Sequence, residues 1–214
     1  MTAGQRRAFD RLWPRFGVEL GAGTRITPQT LFGDDRPLNL EIGFGNGDAL
    51  LAMAVARPQE GFVGIEVHRP GIGRLLRRLD EADIANVRVI RHDAVAVLRD
   101  HVPPATLAAI YLFFPDPWPK KRHHKRRIVQ PAFLDLTTHV LAPGGLLHMA
   151  TDWEEYAEQM LRLAEAHPDL HNLAGAGHFA PRPDDRPLTR FERRGVRLGH
   201  GVWDLCFRRL SGGQ

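Results

Sequence analysis

From residue 38 onward, short apolar runs alternate with amphipathic stretches. Segments 38–42, 62–67, 87–90, 108–114 and 146–150 have the length of buried strands, and their near-continuous apolarity is what strands covered on both faces require. Between and after them, segments 48–56, 73–82 and 94–101, a segment starting near Pro131, and segment 153–167 carry apolar residues at helical spacing. This alternation predicts βαβ units, and so a mostly parallel sheet with helices on both faces. Segment 201–209 reads as a last strand, and its antiparallel insertion at the sheet edge would be typical of one class of α/β enzyme. Ahead of this body, residues 5–13 place Ala8, Phe9, Leu12 and Trp13 on one face of a short helix that would dock on it. An irregular stretch of Gly, Pro and Thr then runs to about Pro37. Residues 174–188 contain Gly175, Gly177, Pro181, Pro183 and Pro187, too many breakers for an element, and read as a long functional loop. There is no internal repeat.

A chain of 214 residues suits a single domain with ample core, and 43% hydrophobic with 25% charged residues excludes wholesale disorder. No apolar run approaches the length of a membrane span, and the polar, basic N-terminus lacks the apolar core of an export signal. The expectation is a soluble, cytoplasmic protein. Cys206 is the only cysteine, which excludes an intrachain disulfide or a cysteine-based metal site; within the alternating segment 202–207 it reads as a small core residue rather than a nucleophile. The net charge of +4 favours an anionic partner.

Segment 111–127 sharpens that picture. The apolar run 107–114 leads into Pro115-Asp116-Pro117-Trp118, where two prolines forbid continuation as strand or helix and leave Asp116 at a strand's carboxyl end. In open α/β sheets, ligands bind at that edge, and Trp118 beside it offers a surface for a flat ring such as a base. Residues 120–127 are then all Lys, Arg or His. A solvated loop would account for the charge alone. It does not account for the three lysines of the chain, Lys120, Lys121 and Lys125, lying together here while 26 of its 29 Lys and Arg residues are arginine. The order reads as a catalytic carboxylate followed by a grip on a polyanion. His123 and His124 are adjacent and lie among cations, so no metal site is expected.

A second constellation concerns a cofactor. Strand 38–42 carries Glu41 and runs into Gly43, Gly45 and Gly47, a Gly-x-Gly-x-Gly turn that lets the backbone bend tightly and a ligand approach. Dinucleotide sites usually show Gly-x-Gly-x-x-Gly facing a pyrophosphate. An acidic side chain at the turn would repel phosphates and suits a cationic ligand such as S-adenosylmethionine instead. Glu66, at the end of the next strand, is placed to accept both ribose hydroxyls. Asp93, after the third strand, is placed to accept from an adenine amino group. On the residues alone, Asp152 reads as a helix cap before Trp153, and Thr189 to Glu192 as a polar loop end.

Taken in order, the motifs 41–47, Gly64-Ile-Glu-Val67, Phe113-Phe-Pro-Asp-Pro-Trp118, the basic run 120–127, Ala150-Thr-Asp-Trp153 and Thr189-Arg-Phe-Glu192 make the chain resemble the bacterial tRNA (guanine-N7-)-methyltransferases over nearly its whole length. The resemblance implies a Rossmann-like class I methyltransferase fold, with a seven-stranded sheet whose edge strand is antiparallel. Residues 38–214 would form the methyltransferase domain, and 1–37 a helix and irregular segment docked on it. The implied reaction moves a methyl group from S-adenosylmethionine to N7 of the guanine in the tRNA variable loop, conventionally tRNA position 46. Glu41, Glu66, Asp93 and Asp116, with Gly43, Gly45 and Gly47, would line the cofactor site. Lys120, Asp152, Thr189, Arg190, Phe191 and Glu192 would contact substrate, and Arg122, His123, His124, Lys125, Arg126 and Arg127 would meet RNA. The partner would be tRNA, with no membrane and no metal, and the protein a monomer or homodimer. Members of that family often carry a basic arm before a segment like 2–5; this chain begins there, so either the arm is absent or the start is shortened, which bears on RNA contacts from such an arm and not on the methyl-transfer site.

Guanine N7 is a bare lone pair, so attack needs no prior deprotonation and Asp116 need not be a general base. It is expected to accept from guanine N1 and N2 and to stabilise the cationic product. A small-molecule methyltransferase has little use for eight consecutive basic residues, a non-catalytic RNA-binding module leaves Glu41, Glu66 and Asp93 idle, and a nicotinamide dehydrogenase is opposed by the glycine spacing and Glu41.

Overall fold

The computed structural model describes residues 3–183, 186 and 201–211. Seven strands form one sheet in the order β3-β2-β1-β4-β5-β7-β6. The strands are β1 (Leu38–Ile42), β2 (Gly61–Ile65), β3 (Val87–Ile90), β4 (Leu107–Phe113), β5 (Leu141–Thr151), β6 (Leu170–Asn172) and β7 (Trp203–Arg209). β1 to β5 are parallel, and β7 pairs antiparallel with both β5 and β6. The chain moves outward from β1 to β3, then returns to the other side of β1 with β4. β1 and β4 therefore flank a topological switch point, the place where an open α/β sheet has room for a ligand beyond its strand ends.

Every residue of β1 and β2 is buried, as strands covered on both faces must be. Alternation along β1 sends Leu38, Leu40 and Ile42 into one core, shared with α5 (Ala94–His101), α6 (Pro131–Val140) and α7 (Glu154–Glu165). The opposite core gathers side chains of α1 (Ala3–Phe16), α3 (Asp48–Ala56) and α4 (Arg69–Glu81) around Phe62, Ala109 and Tyr111. Glu41 and Tyr111 are register partners on that second face, so Glu41 is a carboxylate buried in that layer.

The N-terminal helix docks as its apolar face requires. Phe9, Leu12 and Phe16 are buried, and Phe9 stacks on Trp13 at 4.8 Å. Arg11 and Arg15 add exposed ion pairs to Asp80 at the end of α4, which contribute little beside the apolar contact. Several elements differ from the sequence pattern. The stretch before Pro37 contains a one-turn helix, α2 (Pro28–Phe32), with Thr27 and Thr30 as a reciprocal capping pair and Gly33 closing it at φ 83°. β5 begins at Leu141 rather than 146, because the Ala-Pro-Gly-Gly turn bulges out between two stretches that both pair with β4. β6 is a further strand of only three residues. Within 174–183 the one pairing is a bridge from Ala180 to Asp204. Cys206 is buried in β7. Among the described residues, no helix is long and apolar enough to cross a membrane.

Candidate active site

The turn after β1 is shaped by three glycines with positive φ, Gly43 (69°), Gly45 (56°) and Gly47 (74°). At Gly43 and Gly45 a side chain would meet nothing within 4 Å, so the backbone itself faces open space. Gly47 differs. A Cβ there would lie 2.6 Å from Leu75 of α4, so its missing side chain serves helix packing, and it lines neither cleft described below. Glu66 holds the turn from the other side, accepting from Gly45 N at 2.8 Å and, through its second oxygen, from Val67 N and His68 N at 2.8 and 2.9 Å. These bonds fix the carboxylate and leave lone-pair capacity directed outward.

Two adjoining clefts share Gly43, Phe113 and Phe114. The larger, about 480 Å³, has Glu66, Asp93, Asp116, Trp118 and Arg126 in its wall. Asp93 caps α5, accepting from Ala96 N at 2.9 Å, and still borders the cleft. The smaller, about 250 Å³, contains Glu41 and Asp48. Glu41 is 3% exposed, and its Oε2 is buried without a hydrogen-bond partner among the described residues. Burial, reinforced by Glu66 and then Asp48, pushes its pKa up to about 8. A buried carboxyl at the wall of a cleft can take up a cation, which would favour its ionised form. Asp48 went unnoticed in the sequence because it opens α3, where an acid is ordinary; it pairs with Arg78 of α4.

Beyond β4 the backbone is held in an uncommon form. Phe114 and Trp118 have φ of 53° and 43° and bracket Pro115-Asp116-Pro117. Aromatic residues in that region are strained and persist only where surrounding contacts fix them. Phe114 N donates to Ala150 O at 2.8 Å. Asp116 is thereby presented to solvent at the cleft mouth, and no described residue hydrogen-bonds its carboxylate. One face of the Trp118 ring is covered by the Arg126 guanidinium at 4.9 Å, and His123 meets it edge-on.

The basic run is not a plain loop but a 3₁₀ turn, Lys121–Arg126. Lys120, Lys121, Arg122, Lys125 and Arg126 are exposed, and His123 and His124 half-buried. Arg127 is a correction. It is 2% exposed and bonded to Pro117 O and Gln159 Oε1, so its charge faces the interior and cannot reach a phosphate. Asp152 is exposed but is not the helix cap: Trp153 takes that position, its N–H bound to Thr151 Oγ1 at 3.2 Å. Lys120 and Asp152 line neither cleft. Thr189, Arg190, Phe191 and Glu192 lie outside the described residues.

Residues 35–205 match a family model described as "Putative methyltransferase". The chain is 54% identical over 211 residues to the tRNA (guanine-N(7)-)-methyltransferase of Alcanivorax borkumensis, covering 99% of this chain and 88% of that one. It is 55% identical over 209 residues to the enzyme of the same name from Ectopseudomonas mendocina, covering 98% and 87%. The chain belongs to the tRNA (guanine-N(7)-)-methyltransferase family. Solved structures carry the same fold at low identity. A SAM-dependent methyltransferase from Aquifex aeolicus matches with TM-score 0.56 at 12% identity, covering 81% of this chain and 82% of that one. An rRNA methylase from Streptococcus thermophilus matches with TM-score 0.52 at 14% identity over 99% of both. As a member of the tRNA (guanine-N(7)-)-methyltransferase family, the chain sets the acid-walled double cleft at the switch point directly beside its basic turn.

Proposed function

We propose that this protein transfers a methyl group from S-adenosylmethionine to N7 of the variable-loop guanine of tRNA, giving 7-methylguanosine. The observation that carries the reading is the juxtaposition at the end of β4. Asp116, hydrogen-bonded by no described residue, stands at the mouth of a cleft walled by carboxylates, five residues before a turn rich in exposed cations. Relatives 54% and 55% identical to the chain are named tRNA (guanine-N(7)-)-methyltransferase.

The two adjoining clefts suit S-adenosylmethionine by their carboxylates: Glu41 for a cationic amino or sulfonium group, Glu66 for ribose hydroxyls, Asp93 for the adenine amino group, with the Gly43 and Gly45 backbone leaving room. When bound, that cofactor supplies a methyl carbon already activated by its sulfonium. The chain's own task is alignment. Asp116 accepts from guanine N1–H and N2–H, orients N7 toward the cleft, and opposes the positive charge that grows on the ring. Lys120, Asp152 and Thr189 to Glu192 contact the substrate around that base, and Lys121, Arg122, Lys125 and Arg126 neutralise phosphates. A tRNA substrate places the enzyme in the cytoplasm.

The test is to incubate the protein with labelled S-adenosylmethionine and unmodified bulk tRNA, digest the RNA and identify the methylated nucleoside by mass spectrometry. The expected product is 7-methylguanosine, reduced on the order of a hundredfold in Asp116→Ala with cofactor affinity retained. Near-normal turnover in that variant refutes the role of Asp116.

A further inference from the structure

The basic run ends on a residue that behaves unlike the rest. Arg127 is 2% exposed, yet the nearest carboxylate oxygen, on half-exposed Glu155, is 3.7 Å away. Its other partners are a backbone carbonyl, an imidazole nitrogen and an amide oxygen, and come from three segments. Nε donates to Pro117 O at 2.7 Å, one residue beyond Asp116; Nη2 donates to His124 Nε2 at 2.9 Å, inside the basic turn; Nη1 donates to Gln159 of α7. The guanidinium also lies 4.8 Å over the ring of Tyr156, whose hydroxyl accepts from Val129 N at 3.2 Å. A buried cation with so little direct charge compensation is a poor device for stability, because apolar residues of similar volume commonly do as well or better. The planar fork, by contrast, is suited to holding several acceptors in fixed relative positions, which a lysine cannot do.

We infer that Arg127 is a positioning residue that locks the Asp116 loop, the phosphate-facing turn and α7 into one register, so that RNA held on the turn is delivered to Asp116 at a fixed distance. The inference deepens the proposed reading and rests on it. α7 follows directly on Asp152, so the same clamp sets the spacing between Asp116 and Asp152. Arg127 borders neither cleft, which separates its action from cofactor binding.

The experiment compares wild type with Arg127→Met and Arg127→Lys in steady-state methylation of tRNA, in calorimetric cofactor binding, and in the salt dependence of tRNA binding without cofactor. Expected for Arg127→Met are a kcat lowered tenfold or more, a cofactor Kd within twofold of wild type, and an unchanged slope of log K against log salt. Arg127→Lys should recover only part of kcat. A slope reduced by about one unit would make Arg127 a phosphate contact and overturn the inference, as would a kcat within twofold of wild type. Should neither Arg127 variant fold, Gln159→Leu removes one arm of the clamp and is expected to lower kcat at least threefold, with cofactor Kd and salt slope unchanged; unaltered kcat there overturns the inference too. The proposed reaction is judged separately by whether wild type forms 7-methylguanosine. If it does not, hydrogen exchange of segment 112–120 still decides the clamp: exchange faster by tenfold or more in Arg127→Met is expected, and equal rates would overturn it.

Discussion

The Glu41 carboxyl is buried, and burial, then the charges of Glu66 and Asp48, raise its pKa to about 8. A cationic ligand favours the ionised form, so binding below pH 8 must release a proton. Cofactor affinity should therefore rise about tenfold per pH unit over the lower part of the window below 8 and level off above it. Calorimetry in buffers of different ionisation enthalpy reads the released proton directly, and a buffer-independent heat at pH 7 would refute the coupling. The sign for stability follows from the same shift. The folded value lies above the unfolded one, so the contribution of Glu41 is complete below the ordinary glutamate value of 4.5 and is lost as pH rises through about 8. Glu41→Gln should thus melt at least about 3 °C higher than wild type at pH 8, on the order of 1 kcal/mol in a domain of this size, while binding cofactor more weakly. At this scale the sequence was only partly legible. The acids at the strand ends announced themselves by their offsets from the glycines, and the structure gathers Glu41, Glu66, Asp93 and Asp116 around the adjoining clefts. Nothing in a string of eight basic residues distinguishes Arg127 from its neighbours, because burial there is decided by α7, which lies about thirty residues further on.

Among the elements, the parallel strands were the most readable part of the chain. β1 and β2 are buried at every residue and β4 at all but one, so these segments are mostly apolar and their ends are marked by Gly, Pro or acid. α2 and β6 escaped notice for physical reasons. α2 is five residues long with no buried side chain, and β6 is three, so neither spans enough positions to show a period. Packing between elements also sets the cleft. The N-terminal turn of α4 approaches the glycine turn so closely that a Cβ on Gly71 would lie 2.1 Å from Gly45 O. Ala ordinarily stabilises a helix relative to Gly by about 0.5–1 kcal/mol. Here backbone would have to move, and Gly71→Ala should instead destabilise by about 1–3 kcal/mol and weaken cofactor binding tenfold or more. Thermal unfolding and calorimetry on the same sample check both, and a stabilised variant with unaltered affinity would contradict this account of the turn.

For the molecule as a whole, the net charge of +4 understates the local field, since five exposed cations lie between Lys120 and Arg126. Opposite-sign fields raise association rates and make affinity depend on ionic strength. Replacing Lys121, Arg122 and Arg126 together by alanine should lower the slope of log K for tRNA against log salt by about two to three units; an unchanged slope would remove the turn from the RNA interface. The order of strands in the sheet has a consequence for synthesis as well. Among the described residues, β6 pairs only with β7, and β7 is the last strand. β1, which carries Glu41, and β2 to β4, which lead to Glu66, Asp93 and Asp116, all leave the ribosome before it. A nascent chain can therefore assemble its cofactor half while β6 is still waiting for a partner, and the edge exposed meanwhile is that of β5, the strand that leads to Asp152.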